Sequence, residues 1–185
     1  DAVGDGVTRF KAGGRVGVAW LGARSGACAD CARGAENLCA SSRYTGYDLD
    51  GGYAEYAIVR ADYAYAVPQA FADAEAAPLL CAGIIGYRAL RLAAVPRGGT
   101  LALYGFGSSA HVVLQIARHR GCSVFVATRG ESHRELARSM GADWVGDTYA
   151  TPPAPTDSAI VFAPAGEIVP AALRNVRNGG TVALA

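Results

Sequence analysis

The sequence predicts an α/β protein in two parts: a β-rich segment over residues 1–70, then a doubly wound parallel sheet over residues 71–185. Three observations carry this prediction. Up to Pro68, short apolar stretches are broken repeatedly by glycine. From Phe71 on, short apolar strands alternate with amphipathic helical stretches, the pattern of right-handed βαβ units. A glycine-rich turn at Gly105 joins one of those strands to one of those helices.

In the first part, Arg15–Trp20 reads as a short strand. Gly52-Tyr-Ala-Glu-Tyr-Ala-Ile-Val59 alternates as a half-buried strand does. Between them, residues 24–50 hold three cysteines and many turn formers, so this loop needs a staple. In the second part, the acids of Ala72–Ala77 mark a helix start, where the dipole favours them. Pro78 opens a helical stretch to Leu92, with Leu80, Ile84, Tyr87, Ala89 and Leu92 expected inward; Pro96, Gly98 and Gly99 end it. Thr100–Tyr104 is a buried strand. The helix after it, from about Ser109 to Arg120, shares Val112, Val113, Ile116 and Ala117 on one face. A strand over Ser123–Thr128 and a helix over Glu131–Met140 follow. Further strands fall at Trp144-Val145, at Ile160–Phe162 and from Thr181 on, with a helix over Ile168–Val176 between the last two. Pro152–Pro155 is a short stiff loop.

With 185 residues, 51% hydrophobic and only 18% charged, the chain has ample material for a buried core. A net charge of +1 gives no electrostatic basis for nucleic acid or an anionic membrane as partner. No apolar run approaches the roughly 18 residues of a spanning helix, and no signal peptide is recognised. Five cysteines, an odd number with three clustered, fit metal ligation in a reducing compartment, so a cytoplasmic protein is expected. Both ends read as interruptions of a strand pattern, the expectation being a fragment truncated at each end.

The cysteines give the first chemical motif. Cys28, Cys31 and Cys39 follow Ser25 as S-x2-C-x2-C-x7-C, the spacing of a zinc lobe whose first thiolate is replaced by a hydroxyl. Neutral serine is a poor zinc ligand, so the residues admit two readings: an empty lobe, or zinc held by three thiolates with water or the Asp30 carboxylate as fourth ligand. The second motif is Gly105-Phe106-Gly107-Ser108-Ser109-Ala110, G-x-G-x-x-A between strand and helix. Its first glycine permits the tight turn and its second lets backbone approach a pyrophosphate. The small third residue lets helix and strand pack closely, so a Rossmann-type dinucleotide site is expected. At the tip of the next strand stands Thr128-Arg129, where NAD-binding units place an acid. A hydroxyl beside a guanidinium suits a 2′-phosphate, so NADP(H) is favoured over NAD(H), with nearby Glu131 pulling the other way.

Several segments then carry a resemblance: Gly17-Val-Ala-Trp20-Leu-Gly, the lobe ending Gly34-Ala-Glu36-Asn-Leu38-Cys39, Thr45-Gly46-Tyr47, Asp50-Gly-Gly-Tyr-Ala-Glu-Tyr56, Ala76-Ala-Pro78-Leu-Leu-Cys81-Ala-Gly and Gly105-Phe-Gly107. In this order, over essentially the whole chain, they resemble the zinc-dependent alcohol dehydrogenases of the medium-chain dehydrogenase/reductase superfamily, in the propanol-preferring bacterial type. The resemblance implies a partial GroES-like domain over 1–70, its cysteine lobe at 24–50, and a Rossmann domain over 71–185 missing its last strand. It makes Cys81 a ligand of the catalytic zinc, and Cys28, Cys31 and Cys39 the structural lobe. Without it, Cys81 reads as a small buried apolar residue on a helix. Cys122 matches no ligand position and reads as core.

The family's other catalytic-zinc ligands, a cysteine and a histidine, lie upstream of a segment like Asp1-Ala-Val-Gly4. His111, His119 and His133 read as solvated or packing residues and do not replace them. This stretch alone is therefore not expected to turn over alcohol. For the parent protein, the implied function is hydride transfer between an alcohol or aldehyde and the nicotinamide cofactor, with zinc polarising the substrate oxygen. Gly105, Phe106, Gly107, Ser108, Ser109, Thr128 and Arg129 are the cofactor residues, and Ala163-Pro164 is expected at the nicotinamide ribose. The expected partner is a small alcohol or aldehyde, with no nucleic acid and no membrane, in a homo-oligomeric parent. Two rivals remain: a zinc-free quinone or enone reductase on the same fold, and a non-catalytic nucleotide-binding module.

Overall fold

In the computed structural model, which describes residues 1–185, the chain divides between Cys81 and Ala82 into two units. The sequence boundary at 70/71 differs because Phe71–Cys81 groups with the first unit. The reason is local. Gly17 lies under Leu80, and a Cβ added there would come 2.6 Å from Leu80 Cδ1. Leu80 is thus committed to the first unit's small core.

That first unit is built from very short strands. β1 (Val16–Val18) and β2 (Leu21–Ala23) precede α1 (Ala29–Ala32), β3 (Arg43–Tyr44), β4 (Ala64–Ala66) and α2 (Asp73–Ala76). β1 pairs antiparallel with β4, and β2 with β3. α2 is capped by Glu75, whose carboxylate accepts from the Ala72 N–H at 2.9 Å, and a 3-10 turn over Ala77–Leu80 follows. The expected strand over Gly52–Val59 does not form. Its residues join no ladder, and Tyr53, Tyr56 and Ile58 are exposed. Alternation supplies a face but not a hydrogen-bonding partner, and without one a strand leaves its backbone to solvent.

The second unit runs α3 (Ala82–Ala93), β5 (Thr100–Tyr104), α4 (Ser108–His119), β6 (Ser123–Ala127), α5 (Glu131–Ser139), β7 (Trp144–Gly146), β8 (Thr156–Val161), α6 (Val169–Asn175) and β9 (Val176–Leu184). Its 5-stranded sheet has the order β7-β6-β5-β8-β9, all pairs parallel. This is the 3-2-1-4-5 portion of the doubly wound dinucleotide-binding order. Strand alternation divides the core. Leu101, Leu103, Val124, Val126 and Ile160 face one side with Val113, Leu114 and Ala117 of α4. Ala102, Tyr104, Ala159 and Val161 face the other with Ile168 and Ala172 at α6. The Tyr104 hydroxyl, buried on that side, accepts from Asn175 Nδ2 at 2.9 Å. Asp157 anchors the strand starts: its carboxylate accepts from the Thr100 N–H at 2.8 Å and from Arg177 Nε at 2.7 Å. Asp143 does the same for β6 through the Val124 N–H.

α3 corrects the sequence reading. It buries Gly83, Gly86, Ala89, Leu90 and Ala93, while Ile84, Tyr87 and Leu92 are exposed. The small-residue face wins because α3 and α4 approach closely: a Cβ on Gly86 would lie 2.8 Å from the Ser109 carbonyl oxygen. No single helix is long and apolar enough to cross a membrane.

Candidate functional site

Two constellations carry chemistry, one in each unit. In the first, Gly26 and Gly34, both in the left-handed region, turn the chain on either side of α1. Cys28 caps that helix, its sulfur accepting from the Cys31 N–H at 3.4 Å. Cys39 follows the 3-10 turn Glu36–Leu38, which returns the chain to the helix. The three Sγ atoms lie within 4.8 Å of one another. Ser25 supplies a fourth corner: its Oγ is 3.5 Å from Cys39 Sγ and 3.8 Å from Cys31 Sγ, while Cys28 and Cys31 are 3.4 Å apart. A tetrahedron of Zn–S bonds near 2.3 Å has edges of about 3.8 Å, so three thiols and one hydroxyl fit the size of a zinc site. The Asp30 carboxylate is not part of the cluster, being paired with Arg33. Hydrogen bonding from Ser25 pulls the Cys39 thiol down to about 6, whereas burial, the largest influence, pushes Cys31 up. Arg24 Nε, 2.9 Å from Glu36 Oε1 but off the line of a hydrogen bond, ties the two sides of the lobe as an ion pair.

The second constellation is a cavity of about 710 Å³ at the carboxyl ends of β5, β6, β8 and β9. The strand order reverses between β5 and β8, and doubly wound sheets open a crevice at such a point. Gly105 leaves β5 at φ +89°, and its Cα abuts β8's exit: a Cβ would lie 3.0 Å from the Ala163 N–H. Gly107 is different. Its backbone is ordinary, and a Cβ there would meet no atom within 4 Å. It faces open space where a ligand can approach the main chain. The first helical bond of α4 is His111 N–H to Gly107 O, so the N–H groups of Ser108, Ser109 and Ala110 have no acceptor within the helix. A 12-residue helix thus presents its positive end to the cavity. Ala110, fully buried, provides the close helix–sheet contact.

Every cofactor residue named from the sequence lines this cavity: Gly105, Phe106, Gly107, Ser108, Ser109, Thr128, Arg129, Ala163 and Pro164. Thr128 is buried and held by its N–H to the Gly146 carbonyl at 3.0 Å, while Arg129 makes no ion pair within the chain.

Comparison with known proteins fits both constellations into one family. The alcohol dehydrogenase GroES-like domain model matches residues 1–69. A Mycobacterium tuberculosis protein named as a probable alcohol dehydrogenase, AdhA, is 51% identical over 176 residues, covering 95% of this chain and 51% of the relative. An alcohol dehydrogenase of Geobacillus stearothermophilus is 42% identical over 145 residues, covering 78% of this chain and 43% of the relative. Among solved structures, CAD from Helicobacter pylori complexed with NADP(H) superposes with a TM-score of 0.89 at 29% identity, over 99% of this chain and 55% of that one. Residues 1–69 belong to the alcohol dehydrogenase GroES-like family, and over nearly its whole length the chain is similar to alcohol dehydrogenases. It spans about half the length of the curated relatives it matches. A further structure, described as a short chain alcohol dehydrogenase (rspB) from Escherichia coli CFT073 complexed with NADH, superposes at TM-score 0.88 and 28% identity, over 100% of this chain and 57% of that one.

Cys81 stands apart from the cysteine lobe and is exposed just before α3, not buried as its bare sequence context suggested. The one group of three or more candidate metal ligands is the lobe. Cys122 is buried, its S–H directed at the Pro96 carbonyl. His111 packs its ring at a tilt against Phe106, 4.6 Å between centroids, and its Nε2 lies 3.3 Å from the Phe106 carbonyl oxygen; His119 is exposed. His133 lines the cavity wall, as do Gly130, Thr148 and Tyr149. The sequence reading missed these. Gly130 directly follows the Thr128-Arg129 tip, and that adjacency was the available signal for it; His133 lies in the first turn of α5 and carries no motif. Thr148 and Tyr149 follow β7 and carry no motif.

Proposed function

We propose that this chain is the coenzyme-binding part of an alcohol dehydrogenase that interconverts alcohols with aldehydes or ketones, with NADP(H) as preferred coenzyme. The observation that carries this reading is the cavity itself, which gathers the G-x-G-x-x-A turn, the tip of β6 and the end of β8 at one helix N-terminus. A bound nicotinamide coenzyme supplies the hydride chemistry. The chain's own residues bind and orient. The free N–H groups of Ser108 and Ser109 suit the pyrophosphate, and Gly107 leaves room for it. Thr128 and Arg129 suit a 2′-phosphate through a hydroxyl and an unpaired guanidinium. Phe106 and Phe162 narrow the cavity with apolar surface, and the backbone at Ala163-Pro164 would meet the nicotinamide end.

Two metal roles belong to the proposal. The lobe fits zinc through Cys28, Cys31 and Cys39 with the Ser25 oxygen at the fourth corner, where the ion would cross-link a loop that has little core of its own. At Cys81 the donor set within this chain is a single thiol, short of the three protein ligands of a catalytic zinc. Cys81 is proposed as one contributor to that site in the whole protein. The thiol cluster also favours this reading over a zinc-free reductase, and three clustered thiols suit a cytoplasmic location. Homo-oligomeric assembly of the whole protein is part of the same proposal.

The test is direct. Titration of the chain with NADPH and NADH, followed by nicotinamide fluorescence, is expected to show binding of both with NADPH tighter by about tenfold. Absence of binding by either would remove the coenzyme reading.

A further inference from the structure

Two carboxylates border the coenzyme end of the cavity without lining it. Glu131 directly follows Gly130 and Asp147 directly precedes Thr148; the two neighbours line the wall, the two acids do not. One guanidinium takes up both. Arg134 Nη2 and Nε donate to Glu131 Oε2 at 2.7 and 3.0 Å, and Nη1 lies 3.2 Å from Asp147 Oδ2. Arg138 Nη1 holds the other Glu131 oxygen at 3.0 Å. Arg134 Nη1 also donates to the carbonyls of Thr128 at 3.0 Å and Arg129 at 2.8 Å, pinning the turn that carries the proposed 2′-phosphate residues. The Arg134 side chain is 18% exposed, so this network is largely shielded on its cationic side.

The chemistry of the two candidate coenzymes makes this arrangement matter. A free ribose diol is recognised by an acceptor carboxylate; a 2′-phosphate is repelled by one and attracted by cations. Around the tip of β6 the acids are present in the sequence but cancelled, while Arg129 stays unpaired on the wall beside His133. Hydrogen bonds from Arg138 first and Arg134 second hold the Glu131 carboxyl below the ordinary range, so Glu131 stays ionised with its charge matched.

We propose that Arg134 is a positioning residue for coenzyme selectivity. By sequestering Glu131 and Asp147 and fixing the Thr128–Arg129 carbonyls, it keeps this end of the cavity net positive and selects a 2′-phosphorylated adenosine over a free ribose diol. The inference rests on the coenzyme reading above and adds a residue that touches no coenzyme.

The test uses the chain with two fragments of the coenzyme, 2′,5′-ADP and 5′-AMP, by calorimetry. The unmodified chain is expected to bind 2′,5′-ADP at least about tenfold more tightly. Arg134→Gln is expected to lower 2′,5′-ADP affinity by about 10- to 30-fold and 5′-AMP affinity by less than about threefold. Adding Glu131→Gln and Asp147→Asn to Arg134→Gln is expected to recover most of the selectivity, because the released charges are then gone. An equal loss for both nucleotides, or no recovery in the triple variant, would mean a structural role only and overturn the proposal. Equal binding of both by the unmodified chain overturns it too while leaving the coenzyme reading intact; binding of neither removes that reading itself. If Arg134→Gln does not fold, Arg138→Gln reads the same network from its exposed side. A drop of about two- to fivefold confined to 2′,5′-ADP supports the proposal, and no selective drop counts against it.

Discussion

The two units hold themselves together by different means. The second has strands of up to 9 residues and two buried clusters on opposite faces of one sheet. The first has strands of 2 or 3 residues, and its buried apolar residues are few and mostly small: Ala19, Cys31, Cys39, Tyr63, Ala64 and Ala76. Area burial therefore contributes more to the second unit than to the first. What the first has instead is a set of local ties: the cysteine cluster, the Arg24–Glu36 pair across the lobe and the Arg15–Asp73 pair. A staple-dependent unit and a core-dependent unit should fail under different insults, and that difference can be measured.

The sharpest break comes from the zinc proposed for the lobe. Structural zinc contributes on the order of 10 kcal/mol to folding in small zinc peptides, more than any side chain of the first unit can supply. Chelation, or Cys39→Ala, is expected to open residues 24–50 to protease while the sheet of the second unit keeps its circular dichroism. Ser25→Cys, which completes four thiolates, is expected to raise zinc retention against a chelator by at least about tenfold. If chelation leaves the cleavage pattern of the lobe unchanged, the staple argument fails. The mirror-image perturbation is Leu103→Ala, at a fully buried position of β5. It should cost the second unit about 3–4 kcal/mol in a denaturant titration and leave zinc content unchanged.

The same division explains what could be read in advance. In the second unit the strand–helix alternation was legible because a fully buried strand must be apolar throughout: Leu101, Ala102, Leu103 and Tyr104 leave little alternative. The inward face of α3 was not legible, because a close approach of helices favours glycine and alanine, and hydrophobicity ranks Ile84 and Tyr87 above Gly86. In the first unit the cysteine spacing announced the lobe. The alternation at Tyr53–Ile58 misled, since no ladder partner for it exists among residues 1–185. The cofactor turn was legible as a motif. His133 and the Arg134 network were not, because their importance lies in which side of α5 meets the cavity.

A finer test separates the two glycines of that turn. Gly105→Ala forces a side chain into the left-handed region and against the Ala163 N–H, so a loss of about 1–2 kcal/mol in stability is expected along with weaker nucleotide binding. Gly107→Ala meets neither obstacle. Stability should stay within about 1 kcal/mol, the ordinary cost of a surface change, while nucleotide affinity falls by at least about tenfold. Equal destabilisation by both would deny that Gly107 is reserved for a ligand.

The smallest expected effect lies at the strand starts, where Asp157 does for the second unit what the cysteines do for the first. Its carboxylate accepts from the Thr100 N–H and from Arg177 Nε, and the backbone bond, followed by the arginine, lowers its pKa. A carboxyl with a lowered folded-state pKa contributes stability that is fully present above its unfolded value, about 3.9, and is lost as pH falls through the folded value. Asp157→Asn is therefore expected to cost about 1 kcal/mol at pH 7, discounted for a side chain that is 25% exposed. The gap between variant and parent should begin to narrow as pH drops below about 4, where the unfolded parent takes up a proton, and close only below the lowered folded value, where both carry a neutral group at the same place. Urea midpoints of the two proteins at pH 7 and pH 3.5 measure this. A gap that stays constant with pH would assign the Asp157 contribution to packing and geometry, not to charge.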